Sequence, residues 1–159
     1  MPQDLTHTTL TKALAWTAAA LFAASWFLPV LDDVPGWMAF RYALAPLVPF
    51  RDRDAGSVGW EDSAPQLMSA LTNLVFVLLF ALWASRQSPR PRLFVRVALA
   101  CFLLNLYWFV TAWRDDALKD LLPGYYVWLT AFALLLAVAS LIAFAARRTS
   151  KTPTAGTPS

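Results

Sequence analysis

Four apolar stretches, each about as long as a lipid bilayer is thick, constrain this chain more than any other feature. They cover residues 13–31, 66–84, 93–113 and 125–146, and charged clusters separate them. A hydrocarbon core of about 30 Å takes about 20 residues of helix. Inside lipid the backbone must satisfy its own hydrogen bonds, which a lone segment can do only as a helix. Composition agrees: 58% of residues are apolar and 14% charged, with a mean hydropathy of +0.51, whereas soluble domains carry about 25% charge. The expected fold is all-α, a polytopic integral membrane protein built as a four-transmembrane-helix bundle. Residues 1–148 form one domain, and the Thr/Pro/Ser-rich stretch 149–159 reads as a disordered cytoplasmic tail.

The first stretch also has the look of a signal peptide, with Lys12 ahead of an Ala-rich core. Its apolar run continues through Trp26 and Phe27 to Leu31, long enough to span, so it is read as a retained helix. Basic residues then set the orientation. With the amino terminus inside, eight Lys and Arg lie on the inner side (Lys12, Arg86, Arg90, Arg92, Arg96, Arg147, Arg148 and Lys151) and five outside. Nine of the ten acidic residues fall outside. Both termini are therefore expected in the cytoplasm. A pI of 9.4 then reflects the inner flank of a membrane protein rather than nucleic-acid binding, and anionic lipid suits Arg147, Arg148 and Lys151. Ten Arg against three Lys, 27 Ala and the single Ile142 suggest a GC-rich genome, and hence a bacterial inner membrane.

The first outer loop is long enough to hold structure. Pro35 suits the start of a helix, and residues 36–47 place Trp37, Phe40, Ala43, Leu44 and Leu47 on one side of a short interfacial helix. From Arg51 to Asp62 the loop turns polar. Most Trp and Tyr lie in the outer half of the chain, including Trp26, Trp37, Trp108, Trp113, Tyr125, Tyr126 and Trp128. Such rings anchor helices at the headgroups, and together they form a candidate outer aromatic face.

No Asp, Glu, Lys or His lies deep in a span, which argues against an ion-coupled transporter. Arg96 is close enough to an end to snorkel. Neutral polar groups are more informative. Ser25, Asn73, Asn105 and Thr130 fall at about 9–12 Å from the outer ends, at 1.5 Å per residue, one on each stretch. Small residues recur at helical spacing beside them: Ala15, Ala19 and Ala23; Ala98, Cys101, Asn105 and Ala112; Tyr126, Thr130, Ala133, Ala137 and Ser140. Small faces let membrane helices approach, and buried amides and hydroxyls bond across them. The four groups read as structural glue or as the floor of an outward pocket. Asn73 and Asn105, on antiparallel neighbours, are expected to pair.

Catalytic chemistry finds little support. His7 lies in a polar tail and Cys101 stands alone, so neither a triad nor a thiolate metal cage can form; no Gly-rich phosphate loop or nucleophile elbow is present. Asp32-Asp33 and Asp115-Asp116 read as a solvated outer rim. No enzyme activity, cofactor or metal is expected. The function that fits best is a non-catalytic accessory subunit, presenting its aromatic face to a membrane partner, a second copy or lipid. The alternative is binding or passage of a small uncharged or lipidic ligand at a pocket floored by Asn73 and Asn105.

Overall fold

The computed structural model describes residues 8–31, 34–44, 60–85 and 90–149. The Asp32-Asp33 pair, the polar stretch 51–59, the connection 86–89 and the tail from 150 onward lie outside the described residues. The chain is all-α in character. Its helices are α1 (Thr9–Ser25), α2 (Gly36–Ala43), α3 (Trp60–Ala84), α4 (Pro91–Arg114) and α5 (Pro123–Thr149), with a small antiparallel ladder between β1 (Pro29–Leu31) and β2 (Val34–Pro35). Among the described residues, three helical segments are long and apolar enough to cross a membrane: Ala64–Ala84, Pro91–Arg114 and Pro123–Arg148. They mark a multi-pass membrane protein.

The helix ends follow from local chemistry. Thr8 caps α1, its hydroxyl accepting from the Thr11 amide at 3.3 Å, so the helix begins before residue 13. It also ends early, at Ser25 rather than Leu31. Pro29 has no N–H to offer the Ser25 carbonyl and disfavours helical geometry in the residue before it, so the chain leaves α1 and enters the ladder. The resulting 17-residue helix is about 26 Å long. Proline opens α4 at its first position, where the missing N–H costs nothing. Asp116, with φ of 55°, closes it: the Ala117 amide reaches back to Ala112 O at 2.8 Å and the Asp116 amide to Trp113 O at 3.4 Å. This is the Schellman arrangement, so Asp116 terminates a helix besides adding charge to the rim. α2, expected as an interfacial helix reaching residue 47, stops at Ala43, two residues ahead of the Ala45-Pro46 bond.

α5 is the central helix, packing along α1 on one side and α4 on the other, and α3 completes the bundle against α4. The core is Ala15, Ala18 and Phe22 of α1, Phe76 and Leu79 of α3, Phe94 and Ala98 of α4, and Phe132, Leu135 and Val138 of α5. Small residues at Ala15 and Ala18 let α1 lie close against α5. Three aromatic rings join the helices across the middle. Phe22 stacks on Phe76 at 4.2 Å between centroids, and Phe132 meets them edge-on at 6.3 and 5.1 Å.

Two of the three small-residue faces are rotated from their expected positions. On α1 the buried line is Thr11, Ala15, Ala18, Phe22 and Ser25, whereas Ala23 is exposed. On α5 it runs through Tyr125, Ala131, Phe132, Leu135, Val138 and Ala139, and Tyr126, Thr130 and Ser140 point outward. Lipid-facing and protein-facing positions are both apolar in a membrane, so polarity does not mark the inner face. On α4, Ala98, Cys101 and Asn105 do face inward.

Candidate functional site

Where α1 stops, the chain folds α2 back over its end and leaves a cavity. The Trp37 amide donates to Trp26 O at 3.0 Å and the Gly36 amide to Leu28 O at 3.1 Å. Leu122, ahead of α5, donates to Val30 O at 3.0 Å, pinning the ladder to the bundle. Close approach requires glycine at two points. A Cβ on Gly36 would run into the Ser25 carbonyl, and one on Gly124 would sit 2.5 Å from Pro29 O and 2.8 Å from Leu28 O. α2 then leans on α3, with Phe40 against Trp26 at 5.1 Å.

The cavity measures about 340 Å³ and lies between α2, the ladder and the near half of α3. Ala39, Phe40 and Ala43 form one wall, Ala70 another, and Trp26 just past the end of α1, Trp108 of α4 and Trp128 of α5 converge on it. Ser25, Ser69 and Asn73 supply its inner polar groups, with Gln66 and Tyr42 also lining it. Among the described residues, no acidic, basic or histidine side chain lines it. One turn further into the bundle from Ser25, Asn73 and Trp128 stand Phe22, Phe76 and Phe132, the three rings in mutual contact.

Each polar group of the floor is held from behind. Ser25 Oγ donates to its own helix at Phe22 O, 2.7 Å away. Asn73 Oδ1 accepts from the Trp128 indole N–H at 2.8 Å, fixing both the amide and the ring. Behind Ser69 sits Asn105, fully buried. Ser69 Oγ and Thr72 Oγ1 both lie 3.1 Å from its Oδ1, and its Nδ2 is buried without a partner. Thr72 also donates to Ser69 O at 2.6 Å, and a hydroxyl has one hydrogen. Turning the Asn105 amide by half a rotation resolves the conflict, because Nδ2 then donates to both hydroxyl oxygens, and amide orientation is set by such networks. Ser69 then keeps its own hydrogen for the cavity. Tyr125, also buried, donates to Asn105 O at 2.8 Å.

The residues singled out from sequence therefore divide. Ser25, Asn73 and Asn105 are buried at the same end of the bundle, but the two amides do not pair: Asn73 turns to α5 and Asn105 to Ser69 and Thr72. Thr130 lies outside this layer, exposed, with its hydroxyl on Tyr126 O at 2.7 Å. A threonine in a helix satisfies itself this way without any neighbour. The aromatic face splits as well. Trp26, Trp108 and Trp128 line the cavity, Tyr125 is core, and Trp37, Trp113 and Tyr126 are exposed. Thr72, Ala39, Gln66 and Ala70 were not foreseen as part of this region. The run Ser69-x-x-Thr72-Asn73 places three hydrogen-bonding groups on adjacent turns of an apolar helix, a signal that was there to read.

Chemically, the arrangement can bind and orient a molecule. Among the described residues, no three His, Cys, Asp or Glu side chains come together to hold a metal ion. No protein-family model matches the chain, and no solved structure matches it. It is similar to the uncharacterized protein YxaJ of Bacillus subtilis (strain 168), 27% identical over 104 residues, which is 65% of this chain and 63% of that protein. The chain thus spans less than two thirds of that relative's length. The likeness relates this chain to an uncharacterized protein and brings no activity with it.

Proposed function

We propose that the cavity binds a small, uncharged, largely apolar molecule bearing a hydrogen-bond acceptor. The observation that carries this reading is a cavity of about 340 Å³ walled by three tryptophans and an interfacial helix, with no charged side chain among the described residues that line it. Small-ligand pockets run from about 300 to 1,000 Å³ and combine apolar walls with a few fixed polar groups. A charged ligand would lose hydration there with no opposite charge among the described lining residues to offset it. The Ser69 hydroxyl, once Asn105 donates to it, is the donor that an acceptor would meet. Three packed phenylalanines beneath the floor favour binding over passage. In this reading α1 is the fourth span, both termini are cytoplasmic, and the pocket opens toward the outer side of a bacterial inner membrane.

The accessory-subunit reading stands second, favoured by Phe27, Trp113 and Trp37, which are 81%, 67% and 43% exposed at the same end. The discriminating experiment is mass spectrometry of small molecules that co-purify in mild detergent, comparing the wild type with Ala39→Trp, which fills the cavity. Binding predicts an uncharged compound retained by the wild type and lost from the variant. Identical extracts from both proteins, with a stoichiometric protein partner, would favour the accessory reading.

A further inference from the structure

The opposite end of the bundle carries a second site of different chemistry. Two adjoining cavities of about 350 and 420 Å³ lie between the start of α4 and the end of α5, and both are lined by Arg92, Arg96, Ala143 and Arg147. Arg90 lines the second cavity. Arg92 and Arg96 stand four residues apart, on one helical face, where like charges repel; Arg147 approaches from α5. Among the described residues, no acidic side chain lines either cavity, and the first turn of α4 holds none. Three arginines from two helices are thus brought to one cleft.

We infer that this cleft binds the phosphodiester headgroup of an anionic phospholipid. Guanidinium groups recognise phosphate oxygens through paired N–H donors, and basic pockets between membrane helices suit such headgroups. The flanking surface selects a lipid over free phosphate. Leu99 and Leu103 of α4 and Leu141 and Phe144 of α5 are exposed toward the middle of the bundle, along the path that acyl chains would take. Phe144 lines the first cavity and carries the Arg148 guanidinium 4.4 Å from its ring centroid, so one aromatic ring holds a further charge beside the cleft. Ser140 and Ala143 are small and leave room for the headgroup between the helices. With two adjoining cavities, the cleft best fits a headgroup bearing two phosphates, as in diphosphatidylglycerol.

The test is lipid retention by native mass spectrometry. Full-length protein is released from nanodiscs of phosphatidylcholine doped with phosphatidylglycerol or diphosphatidylglycerol. Retention of the anionic lipid, diphosphatidylglycerol most strongly, is expected for wild type. The doubles R92Q/R96Q and R92K/R96K should each reduce it by about tenfold or more, the second because lysine keeps the charge but not the planar fork. R114Q, at the other end of the bundle, should stay within about twofold of wild type, as expected for charge-specific recognition at one place. Wild-type retention by R92K/R96K would reveal a diffuse basic collar and overturn the site. Displacement of the lipid by millimolar inorganic phosphate, or equal retention of phosphatidylcholine, would overturn the lipid assignment.

Discussion

The indole N–H of Trp128 meets the side-chain carbonyl of Asn73 at 2.8 Å, tying α5 to α3 at the edge of the apolar cavity. One bond holds both the ring that walls the pocket and the amide that floors it. Interhelical bonds of this kind contribute about 0.6–2 kcal/mol in membranes. Trp128→Phe should therefore destabilise the protein by about that amount, and Asn73→Leu similarly. The double variant should cost less than the two singles together, because removing both partners leaves no orphan. Unfolding titrations in mixed micelles measure all three.

Asn105 predicts a different pattern. Its side chain serves Ser69 and Thr72, and its own carbonyl receives Tyr125. Asn105→Leu strips Ser69 of its side-chain partner, leaves Thr72 only its bond to Ser69 O, and should cost about 1–3 kcal/mol. Ser69→Ala should cost less, since Thr72 still holds the amide. Asn73→Leu and Asn105→Leu have no hydrogen-bond partner in common, so their costs should come close to adding, and the same titrations read this out.

The glycines give the sharpest steric forecast. A methyl group at Gly124 would lie 2.5 Å from Pro29 O, and one at Gly36 would strike Ser25 O. Both obstacles are backbone atoms that cannot rotate away. Gly124→Ala and Gly36→Ala should each destabilise by about 1–3 kcal/mol, as overpacking does. Gly36→Ala should also shift α2 and alter the cavity, whereas Gly124→Ala should loosen the joint between the ladder and α5. Proteolysis at the α2 region in detergent, against wild type, separates the two.

Much of the fold was legible because the bilayer imposes a length that composition must meet. The three long helices start and stop within a few residues of where apolar runs end. α1 departs from its apolar run ahead of Pro29, where hydrophobicity continues but the helix cannot. The polar layer was legible at Ser25, Asn73 and Asn105, since an amide or hydroxyl that deep needs a partner. The partners themselves were not, because which face of an apolar helix turns inward depends on packing: Thr130 fell outward and Trp128 inward on the same helix. The wall that α2 contributes depends on Gly36 meeting the α1 terminus, a contact between segments that no helical periodicity encodes.

Topology offers an independent check on α1 as a fourth span. Reporter fusions after Ser88 and after Thr149 should both read cytoplasmic, and one after Asp54 external, following the distribution of basic residues. A cytoplasmic signal at Asp54 would overturn this topology.

The ligand-binding proposal is tested most directly by returning the co-purified compound to protein stripped of it. Melting temperature is then followed with increasing compound in wild type, in Ser69→Ala and in Ala39→Trp. A bound ligand raises stability in proportion to the logarithm of its concentration above Kd. The expected result is a saturable rise in wild type, a weaker one in Ser69→Ala and none in Ala39→Trp, whose side chain occupies the cavity. An equal rise in Ala39→Trp would place the compound elsewhere on the protein and contradict the pocket as its site.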